Sequence, residues 1–158
     1  MEETVTDKPE YAHNIPGVIP HLVVNGAREA IEFYIKAFGA TKVMEMPAED
    51  GKRLLHAQLI INGGTIMNGG TIMMCDDFPE YCGGQPTEYP KRPPVTLHMA
   101  VPDIDAAFAQ AVAAGATEAM KPADMFWGDR YGQVRDPYGH LWAFSTPSKP
   151  GAVVTNGC

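Results

Sequence analysis

The spacing of hydrophobic positions changes several times along this chain, and each change marks an element. In Val18–Asn25, Val18, Pro20, Leu22 and Val24 fall on one face and Ile19, His21, Val23 and Asn25 on the other, which predicts a strand. After Gly26 the spacing lengthens to three and four. Ala30, Ile31, Tyr34, Ile35 and Phe38 then form one stripe, predicting a helix over Ala27–Phe38 that Gly39 ends in the left-handed conformation. Thr41–Met46, Arg53–Ile61 and Thr71–Cys75 read as three further strands, the first two joined by the turn Glu49-Asp50-Gly51. Alternation returns in Val95–Val101, with Val95, Leu97, Met99 and Val101 on the apolar side and Thr96, His98 and Ala100 on the other. Asp103 is placed to cap an alanine-rich helix that runs to Ala114 and closes at Gly115. Strand-like segments at Thr117–Lys121 and Met125–Trp127 lead into a hairpin, Arg130–Arg135 and His140–Thr146. Its turn is Asp136-Pro137-Tyr138-Gly139, in which proline presets the second position and glycine suits the fourth.

Laid side by side, the two halves repeat. VIPHLVV aligns with VTLHMAV, setting His21 opposite His98, and FGAT aligns with AGAT. The fold class this predicts is α+β, two tandem βαβββ modules. Module one spans 16–76 and module two 95–147, together one domain over 16–147. Between them, residues 77–94 form a linker: Asp76–Pro94 carries five prolines and two glycines, too irregular for a regular element. The polar, acidic residues 1–15 are expected to be a disordered tail, and 148–158 a flexible one.

One stretch breaks the pattern. Asn62–Met67 reads NGGTIM and Asn68–Met73 reads NGGTIM again, a perfect tandem hexapeptide and so an insertion, either a natural slippage relative to a shorter ancestor or an engineered product. Six is even, so a strand lengthened by six keeps every side chain on its face. Asn-Gly-Gly is turn chemistry, and the extra copy can bulge as a longer hairpin tip. Thr71–Cys75 is therefore expected to keep the fourth-strand place while the slack collects near 62–70.

Composition narrows the partners. The 158 residues suit one domain with a core of its own. A net charge of -7, with no basic patch, argues against nucleic acid and anionic membranes. No apolar run nears the roughly 18 residues of a membrane span. The acidic start lacks the basic and apolar regions of a secretory signal, and the three cysteines show no CxxC spacing. A reducing cytoplasm is the expected compartment.

The duplicated βαβββ plan, with FYIKAFGAT and GDRYGQVRDPYGHLWAFST, resembles the vicinal-oxygen-chelate superfamily of glyoxalase I, bleomycin-resistance proteins and extradiol dioxygenases. DRYGQVRDPYGHLW and LLHAQLIINGG look most like its PhnB-like branch. The resemblance covers about residues 16–147 and implies sheets curled around a shared cavity completed by dimerisation. It also implies metal ligands in the first and last strands of each module, among them a carboxylate four residues after the turn glycine. Here that position is Ala143, and the fourth strand has no carboxylate before Asp76. His21 and His98 stand two residues beyond the usual ligand positions, Ile19 and Thr96. No cofactor is therefore expected; a divalent ion on His21 and His98 would be weakly held.

The ligand-binding candidates are His21, His98, Trp127, Arg130, Tyr131 and Trp142. Each has a plainer use. His21 and His98 read equally as cavity ligands or satisfied strand histidines. The tryptophans could stack on a planar ligand or fill the core, Tyr131 could donate into the cavity or pack, and Arg130 could clamp an anion or pair with Asp129 or Asp136. His56 reads as structural, Met44, Met46, Met73 and Met74 as core, Cys75 as a small buried hydrophobe, and Asp76-Asp77 as a solvated pair. Three function classes follow. The favoured one is a homodimeric protein binding a small aromatic or anionic molecule without a catalytic metal. The second is a lyase, isomerase or dioxygenase with an atypical metal site, and the third a degenerate interaction module. The sequence leaves open whether any reaction is catalysed.

Overall fold

The computed structural model describes residues 17–61 and 70–156. The N-terminal tail, the first copy of the hexapeptide and the final two residues lie outside them. Module one comprises β1 (His21–Val24), α1 (Ala27–Phe38), β2 (Thr41–Pro47), β3 (Leu54–Ile61) and β4 (Gly70–Asp76). Module two repeats the plan in β5 (Thr96–Ala100), α2 (Ile104–Ala114), β6 (Thr117–Asp124), β7 (Asp129–Arg135) and β8 (Leu141–Pro147). Two four-stranded sheets result, ordered β1-β4-β3-β2 and β5-β8-β7-β6. In each, the first and last strands run parallel and the other pairs antiparallel. The expected α+β class and duplicated βαβββ plan are therefore present, although the sheets do not close on themselves.

Each sheet turns one face to the helices. On β1, β3 and β4 that face carries Leu22, Val24, Ala57, Leu59, Ile72 and Met74, all buried. On β7 and β8 it carries Val134, Trp142 and Phe144. The helices pack against each other, and Gln110 Nε2 donates to the Lys36 carbonyl at 2.9 Å between them. An aromatic cluster fills the junction: the Phe38 and Trp142 rings lie 4.4 Å apart, and Tyr34 and Trp142 5.5 Å. Among the described residues, no helix is long and apolar enough to cross a membrane.

Two buried carboxylates hold the junctions, and the sequence reading missed both. Asp76 is 4% exposed, not solvated. Its Oδ1 accepts from the Gly26 and Ala27 amides at 2.9 Å, and its Oδ2 from the Leu54 amide at 2.6 Å. The cause is at the start of α1, where the N-cap is Gly26 with φ 98° and no side chain to satisfy the first amides. A carboxylate from β4 does that work, favoured by the positive end of the helix. Asp77 is also engaged, accepting from the Thr87 amide and hydroxyl.

Asp136, at the hairpin turn, is 3% exposed. Its Oδ1 accepts from the Tyr138 and His140 amides, and its Oδ2 from the Tyr34 hydroxyl at 2.7 Å and Trp142 Nε1 at 2.9 Å. Tyr34 belongs to module one, so this carboxylate joins the halves. Burial, reinforced by the Asp136 charge, pushes the Tyr34 phenol well above its ordinary range.

Other differences are local. β1 begins at His21, three residues later than expected, because Pro20 has no amide for the ladder; its carbonyl still accepts from Met73. The expected strand at Met125–Trp127 is a tight turn in which the Gly128 amide donates to the Met125 carbonyl, and β6 runs on to Asp124. Pro122 is tolerated there because β6 is an edge strand with a register shift between Met120 and Ala123. Thr71–Cys75 occupies β4 as expected, paired with β3 from Ile61↔Gly70 to Ala57↔Met74. Where the extra hexapeptide residues project lies outside the described residues. Past β8, the Thr155 amide donates to the Asp124 carbonyl, and Met125 and Thr155 form a bridge.

Candidate functional site

The faces turned away from the helices carry the chemistry. Directly paired residues share a sheet face. On module two, His98 pairs with Ala143 and Ala143 with Gln133; one step along, Ala100 pairs with Ser145 and Ser145 with Tyr131. His98 Nε2 shares a 2.9 Å hydrogen bond with Ser145 Oγ. The His98 ring stacks on Tyr131 at 5.9 Å and 29°. Gln133 Nε2 donates to the Tyr131 hydroxyl at 2.8 Å, leaving that O–H free to donate onward. Trp127, on the β6–β7 turn, meets Tyr131 edge-to-face at 5.7 Å and is itself 43% exposed. Three of the expected site residues, His98, Trp127 and Tyr131, thus form one open aromatic surface.

The others lie elsewhere. Trp142 is 3% exposed on the helix-facing side of β8, with its indole N–H spent on Asp136, and with Thr96 and His98 it lines a cleft of about 710 Å³ between the modules. Arg130 shares the helix-facing side of β7 with Gly132 and Val134. Its Nε and Nη2 grip both Asp105 oxygens at 2.9 Å, and Nη1 reaches Asp124 at 3.2 Å. That fork raises the guanidinium and lowers the Asp105 carboxyl. Arg130 is therefore neutralised by α2 and β6 rather than by Asp129 or Asp136, and is not offered to an anion on the open face.

His21 is on the open face of module one, paired with Met73. Its neighbour is His56, with ring centres 5.6 Å apart and planes at 79°. Burial, then the charge of His21, lowers the His56 pKa. His21 and His98 thus sit on corresponding faces of separate modules.

Sequence reading missed Gln133, Ser145 and His56 as site residues. The first two were accessible through period-two alternation from Tyr131 and from Ala143. The pairing of His56 with His21 was not, since nothing local in LLHAQL gives its cross-strand partner.

Ala143, directly opposite His98, supplies a methyl group. Among the described residues of one chain, no three His, Cys, Asp or Glu side chains come together to hold an ion. A His/carboxylate divalent site does not fit module two.

Duplicated βαβββ modules with polar and aromatic residues on their open faces define an α+β protein of two similar halves. The chain belongs to the glyoxalase/bleomycin resistance protein/dioxygenase superfamily, whose family profile matches residues 83–144. An uncharacterised protein of Mycobacterium bovis is 47% identical over 135 residues, 84% of this chain and 84% of that one. The crystal structure of TioX from Micromonospora sp. ML1 is 27% identical and superimposes with a TM-score of 0.59, covering 89% of this chain and all of that one. A PhnB protein from Bacillus cereus, 19% identical, shares the fold at a TM-score of 0.63 over 82% of this chain and 98% of its own.

Proposed function

We propose that this protein binds a small planar aromatic molecule against the open face of module two, in a cavity completed by a second copy, without a catalytic metal. The observation that carries the reading is the His98–Tyr131–Trp127 surface, exposed in one chain and lined with hydrogen-bonding tips from Ser145 and Gln133. Aromatic stacking contributes about 0.5–1.5 kcal/mol per pair beyond the area buried, and a few convergent polar groups set orientation. The pairing of Arg130 with Asp105 and Asp124 removes the anion clamp, so the aromatic part of the expected ligand class is the part retained.

Pairing of two chains covers what one chain leaves open. Met46, Leu55, Ile60, Phe126 and Trp127 are each more than a third exposed, and such surface favours an isologous partner. The test is a fluorescence titration with naphthol and indole. A Trp142→Phe background leaves Trp127 as the sole tryptophan. Quenching with a saturable isotherm is expected, and Trp127→Ala, followed by calorimetry, is expected to weaken binding about tenfold, while Arg130→Gln leaves affinity unchanged. Unaltered binding in Trp127→Ala, or a scattering mass of 17.1 kDa rather than twice that, contradicts the reading.

A further inference from the structure

Module one turns a different chemistry to its open face. His21 stands opposite Met73, Met73 opposite Gln58, and Gln58 opposite Met44. One step along, Met46 stands opposite His56. Of the four methionines the sequence assigns to the core, only Met74 is there, fully buried; Met46 is 44% exposed, and Met44 and Met73 are half-buried. The face thus brings thioethers from β2 and β4 to two adjacent imidazoles.

We propose that His21, His56, Met46 and Met73 form a binding site for a soft monovalent metal ion, Cu(I), separate from the aromatic face of module two. Three observations support this. The first is the imidazole spacing. With metal–nitrogen bonds of about 2.0 Å and about 1.2 Å from ring nitrogen to ring centre, two imidazoles on one ion have centres at most ~6.4 Å apart. The observed 5.6 Å places the two rings within that limit. The second is register. Each histidine has a flexible thioether at the paired position of the neighbouring strand: Met73 for His21 across the parallel β1–β4 pair and Met46 for His56 across the antiparallel β2–β3 pair.

The third is the identity of the donors. Among the described residues, no third His, Cys, Asp or Glu completes a site with the pair. A hard divalent ion therefore finds two nitrogens and no carboxylate. Thioether sulfur is a soft donor that suits Cu(I) and contributes little to Zn(II) or Mn(II), so the set itself selects the metal. Thioethers and imidazoles are neutral when they ligate, so the single positive charge enters without a counter-charge and without proton release from a thiol.

The experiment uses the full chain with Cys75, Cys82 and Cys158 replaced by Ser, which removes thiol binding, including that of Cys75, two residues from Met73 on the same strand face. Cu(I), kept reduced by ascorbate under anaerobic conditions, is partitioned against bathocuproine disulfonate. One Cu(I) per chain is expected, with affinity falling at least tenfold in His21→Gln, in His56→Gln and in a Met46→Leu/Met73→Leu double variant. Zn(II) under the same conditions is not retained. In a parallel NMR titration with Ag(I), the ε-methyl signals of Met46 and Met73 shift while that of the buried Met74 stays. Loss of all Cu(I) binding with the three thiols, retention in the His56→Gln and double methionine variants, or equal shifts at Met74 overturns the assignment. None of these outcomes depends on whether naphthol or indole binds module two.

Discussion

Asp136 accepts four hydrogen bonds in a site closed to water, from two backbone amides, a phenol and an indole. A carboxylate can accept all four; an amide cannot, because one of its ends is itself a donor. Asp136→Asn therefore turns an NH₂ group toward at least one buried donor. The expected cost is about 3 kcal/mol, since each hydrogen bond to a buried charge contributes about 1.5–3 kcal/mol. Tyr34→Phe removes one of the four and is expected to cost about 1.5–3 kcal/mol. Urea denaturation checks both through the midpoint, with the slope unchanged. At this scale the sequence was least legible. Asp76 carries no local signal of burial, because its donors, Gly26, Ala27 and Leu54, stand 22 to 50 residues away; at Asp136 the turn supplies three donors locally, and only Tyr34, 102 residues away, is beyond local reading. Arg130 was misread for the same reason: its partner Asp105 is on a helix that packs across β7.

At the scale of elements, the sequence was far more informative. α1 was delimited to the residue, because stripe, preceding Gly26 and closing Gly39 all agree. Strand ends shifted by one to three residues where prolines and turns intervene. The hexapeptide adds a consequence that only the register reveals. Ile61 pairs with Gly70, so eight residues connect β3 to β4. Deleting Asn62–Met67 leaves the two-residue connection Asn68-Gly69, the sequence that most favours a type I′ hairpin turn. Shortening the loop from eight residues to two lowers its closure cost by about 1 kcal/mol. The deleted chain is expected to fold with the same sheet and a thermal midpoint raised by several degrees, read by calorimetry. A lower midpoint would mean that the longer connection makes stabilising contacts of its own.

For the whole molecule, duplication explains why one sheet face in each half is left open. The helices cover only the inner faces, and the junction is sealed by Tyr34, Phe38, Trp142 and Asp136. What remains are two outward surfaces of unlike chemistry, aromatic on module two and rich in imidazole and thioether on module one. The repeat was readable from VIPHLVV and VTLHMAV, and with it the placement of His21 and His98 on corresponding faces. The unlike chemistry was not, because it is set by residues brought together across strands. The central claim is that the module two face recognises its ligand without a divalent metal, as the methyl group of Ala143 opposite His98 implies. The most direct measurement is calorimetric titration of naphthol into the wild-type protein before and after exhaustive dialysis against EDTA, with metal content determined on both samples. Identical isotherms with less than stoichiometric zinc, nickel, iron or manganese before dialysis are predicted. A stoichiometric divalent ion whose removal abolishes binding, and whose return restores it, would contradict the account.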